Sequence, residues 1–160
     1  MKSEKNELDF EIIEDLTHFP HFRTELTDKN VPNKIADFRN KILDADGIII
    51  CTPEYVFSIP RGLKNILEWC VSTTVFSDKP VGLITASASG EKGHEELKLI
   101  MKTVQTKFTD ETTLLIQGIK GKINSSGEIV DDYTKNELEK LVQSFIELIE
   151  KPVDNKVYCK

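Results

Sequence analysis

The sequence predicts an α/β fold, a mostly parallel β-sheet with helices on both faces. Three observations predict it. The runs Asp46-Gly-Ile-Ile-Ile-Cys51 and Val81–Ala86 are continuously apolar rather than alternating, the signature of parallel strands buried on both sides. A segment with apolar residues at helical spacing follows each run, so strand and helix alternate along the chain. Finally, 160 residues with 39% apolar and 30% charged content match one globular domain, long enough to bury roughly 70% of its unfolded surface. No repeat, linker or second domain interrupts it, so residues 1–160 read as a single domain.

In chain order, Leu8 to Leu16 sets Leu8, Phe10 and Ile12 against Asp9 and Glu11, the alternation of a strand with one wet side near a sheet edge. Phe19-Pro20-His21-Phe22 reads as a turn. Pro32 and Asn33 open a helix to Leu43 with the stripe Ile35, Phe38, Ile42. After the strand Asp46–Cys51 comes the loop Thr52–Ile59. Pro60 then stands at the first turn of a helix that gathers Leu63, Ile66, Leu67 and Cys70 on one face. The strand Val81–Ala86 ends in Ser87-Ala-Ser-Gly90, and Glu91–Phe108 reads as a helix with Leu97, Ile100, Met101 and Val104 inward. Thr112–Gln117 is a further strand and Asn124-Ser-Ser-Gly127 a turn. Thr134 and Glu137 fit a capping box at the head of a terminal helix, whose apolar residues from Leu138 to Ile149 keep helical spacing up to Pro152.

Composition excludes several classes of function. A net charge of −6 repels nucleic acid and anionic lipid, and the pair Lys120 and Lys122 is too small for a phosphate-tracking surface. No apolar run reaches the length of a membrane span, and the opening residues lack a signal core. Cys51, Cys70 and Cys159 form no close-spaced metal or redox pair, so reduced thiols in the cytoplasm are expected. Cys51 and Cys70 read as small core residues and Cys159 as a surface thiol. His18 and His21 read as turn residues without a metal-ligand pattern, and His94 as a solvent-facing residue in a helix's first turn.

In open α/β sheets, ligands bind beyond the carboxyl ends of the strands. Two loops fall there, Thr52–Ile59 and Ser87–Gly93. In the first, Pro53 stiffens a turn and Tyr55 offers an apolar ring with a polar tip. In the second, two glycines let backbone N–H groups approach a ligand. Taken alone, the first loop is equally readable as a plain strand-to-helix connection with a surface aromatic, and the second reads as a flexible loop and helix cap.

Taken together and in order, these residues resemble a known family. Ala45-Asp-Gly-Ile-Ile-Ile-Cys-Thr-Pro-Glu-Tyr55, Ser58-Ile-Pro60, Leu63-Lys-Asn65 and Trp69 look like the core signature of the NADPH-dependent FMN reductases. Lys79–Ser87 and Gly127-Glu-Ile-Val-Asp131 match the same family, and the resemblance spans about residues 8–150. It implies a flavodoxin-like three-layer sandwich, with FMN as cofactor and NADPH or NADH as electron donor. By resemblance, Pro53, Glu54, Tyr55 and Ser58 border the isoalloxazine ring, while Ser87, Ser89 and Gly90 meet its pyrimidine end. No side chain is assigned a catalytic role and no metal is expected. The reduced flavin would pass electrons to a small-molecule acceptor, a quinone, azo compound or metal oxyanion, in a homo-oligomer. The alternative reading is a non-catalytic flavodoxin-like domain that acts through protein contacts.

Two departures from the family pattern stand out. Val56 replaces the Asn that usually follows the Tyr. The family's opening strand and its Gly-Ser-x-Arg-x-x-Ser-x-Asn loop, which grips the FMN phosphate, have no counterpart, so no residue inherits that role. The expected consequences are weakened FMN binding, an unpaired edge on Asp46–Cys51, and self-association or marginal stability.

Overall fold

The computed structural model describes residues 8–150. Helix α1 (Asn33–Asp44) leads into strand β1 (Ile48–Thr52), α2 (Arg61–Glu68), β2 (Val81–Ser87), α3 (Glu91–Thr103), β3 (Thr113–Gln117) and α4 (Asp132–Glu150). The three strands form one parallel sheet in the order β1-β2-β3. Ile48 pairs with Val81 and Thr52 with Thr85, while Leu83 pairs with Thr113 and Ser87 with Gln117. Strands in this register send their outgoing loops to the same edge of the sheet.

The apolar runs form strands because burial suits them. On one face, Ile50 and Leu83 pack with Leu67 and Cys70 from the end of α2, Leu97 and Met101 of α3, and Ile42 of α1. On the other, Ile84 and Ile116 pack against Leu141 of α4. Only β2 is buried along both faces. β1 alternates instead, with Ile49 and Cys51 exposed, which corrects the reading of Asp46–Cys51 as wholly interior and of Cys51 as a core residue. The reason is position: among the described residues β1 is an edge strand, with β2 as its one neighbour in the sheet. Cys70 is buried, as expected. Cys159 lies outside the described residues.

The segment Leu8–Leu16 is not a strand. It runs irregularly beside α1, where Glu11 forms an ion pair with Lys41, while Phe10 and Ile12 stay exposed. Alternation makes a strand possible, but a strand also needs a neighbour to accept its backbone hydrogen bonds. None of the sheet's strands takes this segment as a partner.

Two helix ends also differ from expectation. α3 stops at Thr103, five residues before Phe108, in a Schellman arrangement: the Thr106 N–H donates to the Met101 carbonyl and the Gln105 N–H to that of Lys102. Gln105 takes the left-handed conformation (φ 64°) usually given to glycine, so the sequence carries no visible stop signal. α4 starts at Asp132, and its cap is Asp131 rather than Thr134: the Asp131 carboxylate accepts the Thr134 N–H at 2.8 Å and hydroxyl at 2.6 Å.

Candidate functional site

Three side-chain devices hold the loops beyond β1 and β2 in place. The first is Glu54. Helix α3 is capped by Gly90 in the left-handed conformation (φ 85°), where a side chain would bring a Cβ within 2.8 Å of Leu115. A glycine cap has no oxygen to offer the helix's free N–H groups. Glu54 supplies it from the neighbouring loop, accepting the Gly90 N–H at 3.2 Å and the Gly93 N–H at 2.8 Å. The carboxylate also faces the positive end of the α3 dipole. Gly93 permits the approach, since a Cβ there would lie 3.1 Å from the Glu54 side chain.

The second device is Glu96 on α3. Its Oε2 accepts the Ser58 hydroxyl at 2.6 Å and the Ile59 N–H at 3.1 Å, while Lys64 donates to Oε1 at 2.9 Å. Burial pushes the Glu96 carboxyl up. The hydrogen bonds from Ser58, Lys64 and Ile59 outweigh it and hold the group below the usual glutamate range.

The third joins the Phe19–Phe22 turn to α2. Asn65 donates to the Pro20 carbonyl at 3.0 Å and accepts the Phe22 N–H at 2.8 Å, while the Trp69 indole donates to the same Pro20 carbonyl at 2.9 Å. The rings of Phe22 and Trp69 meet edge to face at 5.4 Å. In the sequence Asn65 and Trp69 belong only to the family signature; in the structure they pin a turn more than forty positions away.

Between Glu54 and Ser58 the chain forms a tight hairpin, closed by reciprocal Tyr55–Ser58 backbone hydrogen bonds of 2.9 and 3.1 Å. Its central residues, Val56 (φ 52°) and Phe57 (φ 60°), both sit in the left-handed region. That region costs a non-glycine residue about 1–3 kcal/mol and persists only where the surroundings impose it. Glu54 and Glu96 impose it from either side. The tip therefore projects apolar surface outward, with Tyr55 63%, Val56 94% and Phe57 75% exposed.

The expectation that Tyr55 and Ser87 line one pocket is met only in part. Their loops leave adjacent strands and are tied together through Glu54. A cleft of about 610 Å³ includes Tyr55, Ser58, Arg61 and Lys64 with His21 and Phe22, but not Ser87, Ser89 or Gly90. Pro53, two residues before the hairpin's Tyr55, is half-buried. Ser87 and Ser89 follow at the end of β2, and among the described residues their hydroxyls meet no protein partner. The backbone N–H groups of Gly90 and Gly93 are already taken by Glu54.

His94 is not solvent-facing. It is half-buried, with Nδ1 3.0 Å from the Thr85 hydroxyl, and burial chiefly, then the Lys98 charge, holds its pKa below the usual histidine value. Among the described residues no group of three or more His, Cys, Asp or Glu is placed to hold a metal, and no helix is long and apolar enough to cross a membrane.

The family model of NADPH-dependent FMN reductases matches residues 2–120. The chain belongs to that family. It is 30% identical to the NADH:(hydroxy)cinnamate reductase subunit CrdA of Vibrio ruber, over 85% of this chain and 72% of that one. It is 29% identical to an NADPH:quinone oxidoreductase of Arabidopsis thaliana, over 81% of this chain and 69% of that one. Among solved structures, the flavoenzyme NAD(P)H:(acceptor) oxidoreductase FerB of Paracoccus denitrificans superposes with a TM-score of 0.72 at 23% identity, covering 84% of this chain and 77% of FerB. The fold is thus flavodoxin-like, and the family's cofactor is FMN with NAD(P)H as donor. The donor set beyond β2 fits a flavin ring, whose polar edge needs hydrogen-bonding partners: the two serine hydroxyls are open and lie beside a loop with an exposed aromatic side chain.

Proposed function

We propose that this chain is an FMN-dependent NAD(P)H oxidoreductase that reduces a small acceptor, a quinone in the first instance and an azo compound or metal oxyanion in the same class. The observation that carries the reading is the Glu54 clamp. It locks together the two loops that leave the carboxyl ends of adjacent parallel strands, where this fold class binds ligands. FMN, when bound, supplies the hydride-carrying chemistry, so the protein's task is placement. Pro53 and Tyr55 form the wall for the ring, and the Ser87 and Ser89 hydroxyls bond its polar edge. Glu54, Ser58 and Gly90 hold those loops from behind. No acid–base side chain is required for the protein's part. We also assign the chain to the cytoplasm, consistent with its negative charge and the free thiols of Cys51 and Cys70, and to a homo-oligomer, supported by the β1 edge, open among the described residues, and the apolar hairpin tip.

The test is to add FMN to the purified chain and follow NAD(P)H oxidation with a benzoquinone as acceptor. Turnover that needs FMN and falls at least tenfold in a Ser87→Ala/Ser89→Ala double variant supports the reading. A chain that neither binds FMN nor oxidises NAD(P)H supports instead a non-catalytic domain.

A further inference from the structure

We propose that the cleft between the Pro20–Phe22 turn and the Tyr55–Ser58 hairpin selects planar aromatic acceptors that carry an acidic group, with Arg61 as its specificity-determining residue. This deepens the oxidoreductase reading by naming the acceptor class of a cleft that shares Tyr55 and Ser58 with the proposed flavin site, and rests on that reading for the word acceptor. The cleft, about 610 Å³, falls within the size range of small-molecule sites. Its two aromatic contributors, Phe22 and Tyr55, both stand on braced supports. Phe22 is fixed by Asn65 and by its edge-to-face contact with Trp69, and the Tyr55 hairpin by Glu54 and Glu96. Such preorganisation lowers the entropic cost of binding a rigid ring.

The charges in the cleft are unequal. Lys64 is answered by Glu96 at 2.9 Å and by the charge of Glu68, the one carboxylate residue that lines the cleft. Arg61 has no carboxylate within ion-pair distance among the described residues. Its neighbour is the His21 ring, whose two nitrogens lie 3.3 and 3.4 Å from the same guanidinium nitrogen, so neither lone pair is met along its axis. On a chain of net charge −6, a guanidinium left without a counter-charge at the rim of a ligand-sized cleft is a site for an anion. Its planar fork matches a carboxylate, and the aromatic lining matches the ring that bears it.

The experiment is a binding titration of the full chain, with and without FMN, followed by NMR. The probes are benzoate and its neutral counterpart benzamide, neither of which accepts electrons from a flavin. Benzoate is expected to shift the signals of Phe22, Tyr55 and Arg61 and to bind about fivefold more tightly than benzamide, the preference an exposed charge pair of roughly 1 kcal/mol supports. Arg61→Ala should erase that preference, and Arg61→Lys should keep part of it. Because Arg61 is exposed, both variants should melt with the wild type. The phosphate of the donor is the other anion that could meet Arg61, so NADP⁺ is titrated in parallel and should bind wild type and Arg61→Ala alike. Equal binding of benzoate and benzamide, no binding of either at millimolar concentration, a preference that survives Arg61→Ala, or a loss that falls on NADP⁺ instead overturns the proposal. None of these readouts involves electron transfer. A chain that prefers benzoate but never oxidises NAD(P)H thus sinks the oxidoreductase reading alone.

Discussion

Removing Glu54 tests whether the two site loops depend on one carboxylate. Glu54→Ala deletes both hydrogen bonds to the first turn of α3, those of 3.2 Å to Gly90 and 2.8 Å to Gly93. Loss of a cap costs about 0.5–2 kcal/mol, and a hydrogen bond to a charged group contributes about 1.5–3 kcal/mol. The two effects share one side chain and are not additive, so about 2–3 kcal/mol is expected for the alanine. At roughly 2–4 °C per kcal/mol for a chain of this size, the melting temperature should fall by about 5–10 °C. Glu54→Gln keeps one accepting oxygen but turns an NH2 toward the other N–H and loses the charge facing the helix dipole, so it should cost about 1–2 kcal/mol. Thermal unfolding by circular dichroism gives both numbers, and amide exchange at Gly90 and Gly93 locates the effect. The reasoning fails if Glu54→Ala melts with the wild type, or if those amides stay equally protected.

Other outcomes follow from the same geometry. Val56→Gly should stabilise the chain by about 1 kcal/mol in urea unfolding, because glycine enters the left-handed region without the penalty a β-branched residue meets there. An unchanged midpoint would show that the hairpin is unstrained. The folded chain holds the His94 proton less tightly than the usual pKa of 6.5 implies, so the stability tied to the neutral ring is complete above that pH and lost as pH falls through it. NMR titration should place the ring below 6.5, and in His94→Asn the melting temperature should fall less between about pH 7.5 and 5.5 than in the wild type. Because this sequence holds no Gly-Ser-x-Arg run, FMN and riboflavin should bind with similar affinity in a fluorescence titration. A preference for FMN beyond about tenfold, roughly 1.4 kcal/mol, would reveal another grip on the phosphate.

Much of the frame was legible in the sequence because burial writes itself into composition. β2 reads as an interior strand and is one, and α1 keeps the stripe Ile35 and Ile42 that it buries. What stayed hidden depends on partners distant in sequence. Glu54 caps α3 across 36 and 39 positions, which no local pattern announces. Gln105 ends a helix in a conformation that only the folded turn imposes, and Asp131 outcompetes Thr134 as cap because its carboxylate reaches both the N–H and the hydroxyl of Thr134. The alternation of Leu8–Leu16 describes a willingness to pair, while pairing itself is decided by what lies alongside. Of the site, Tyr55 and Ser58 stood out by motif. Arg61 and His21 did not, since their meaning arises only when the turn is pinned against α2.

That pinning carries an optical consequence. Trp69 is the chain's one tryptophan, fully buried, with its indole N–H on Pro20 and its ring against Phe22. Nearly all emission excited at the red edge of the protein's absorption therefore comes from one fluorophore, seated in the wall behind the cleft. A blue-shifted spectrum that moves red when the turn lifts from α2 would report local opening separately from global unfolding. The same unlabelled signal could time a ligand's arrival in the cleft in a stopped-flow instrument.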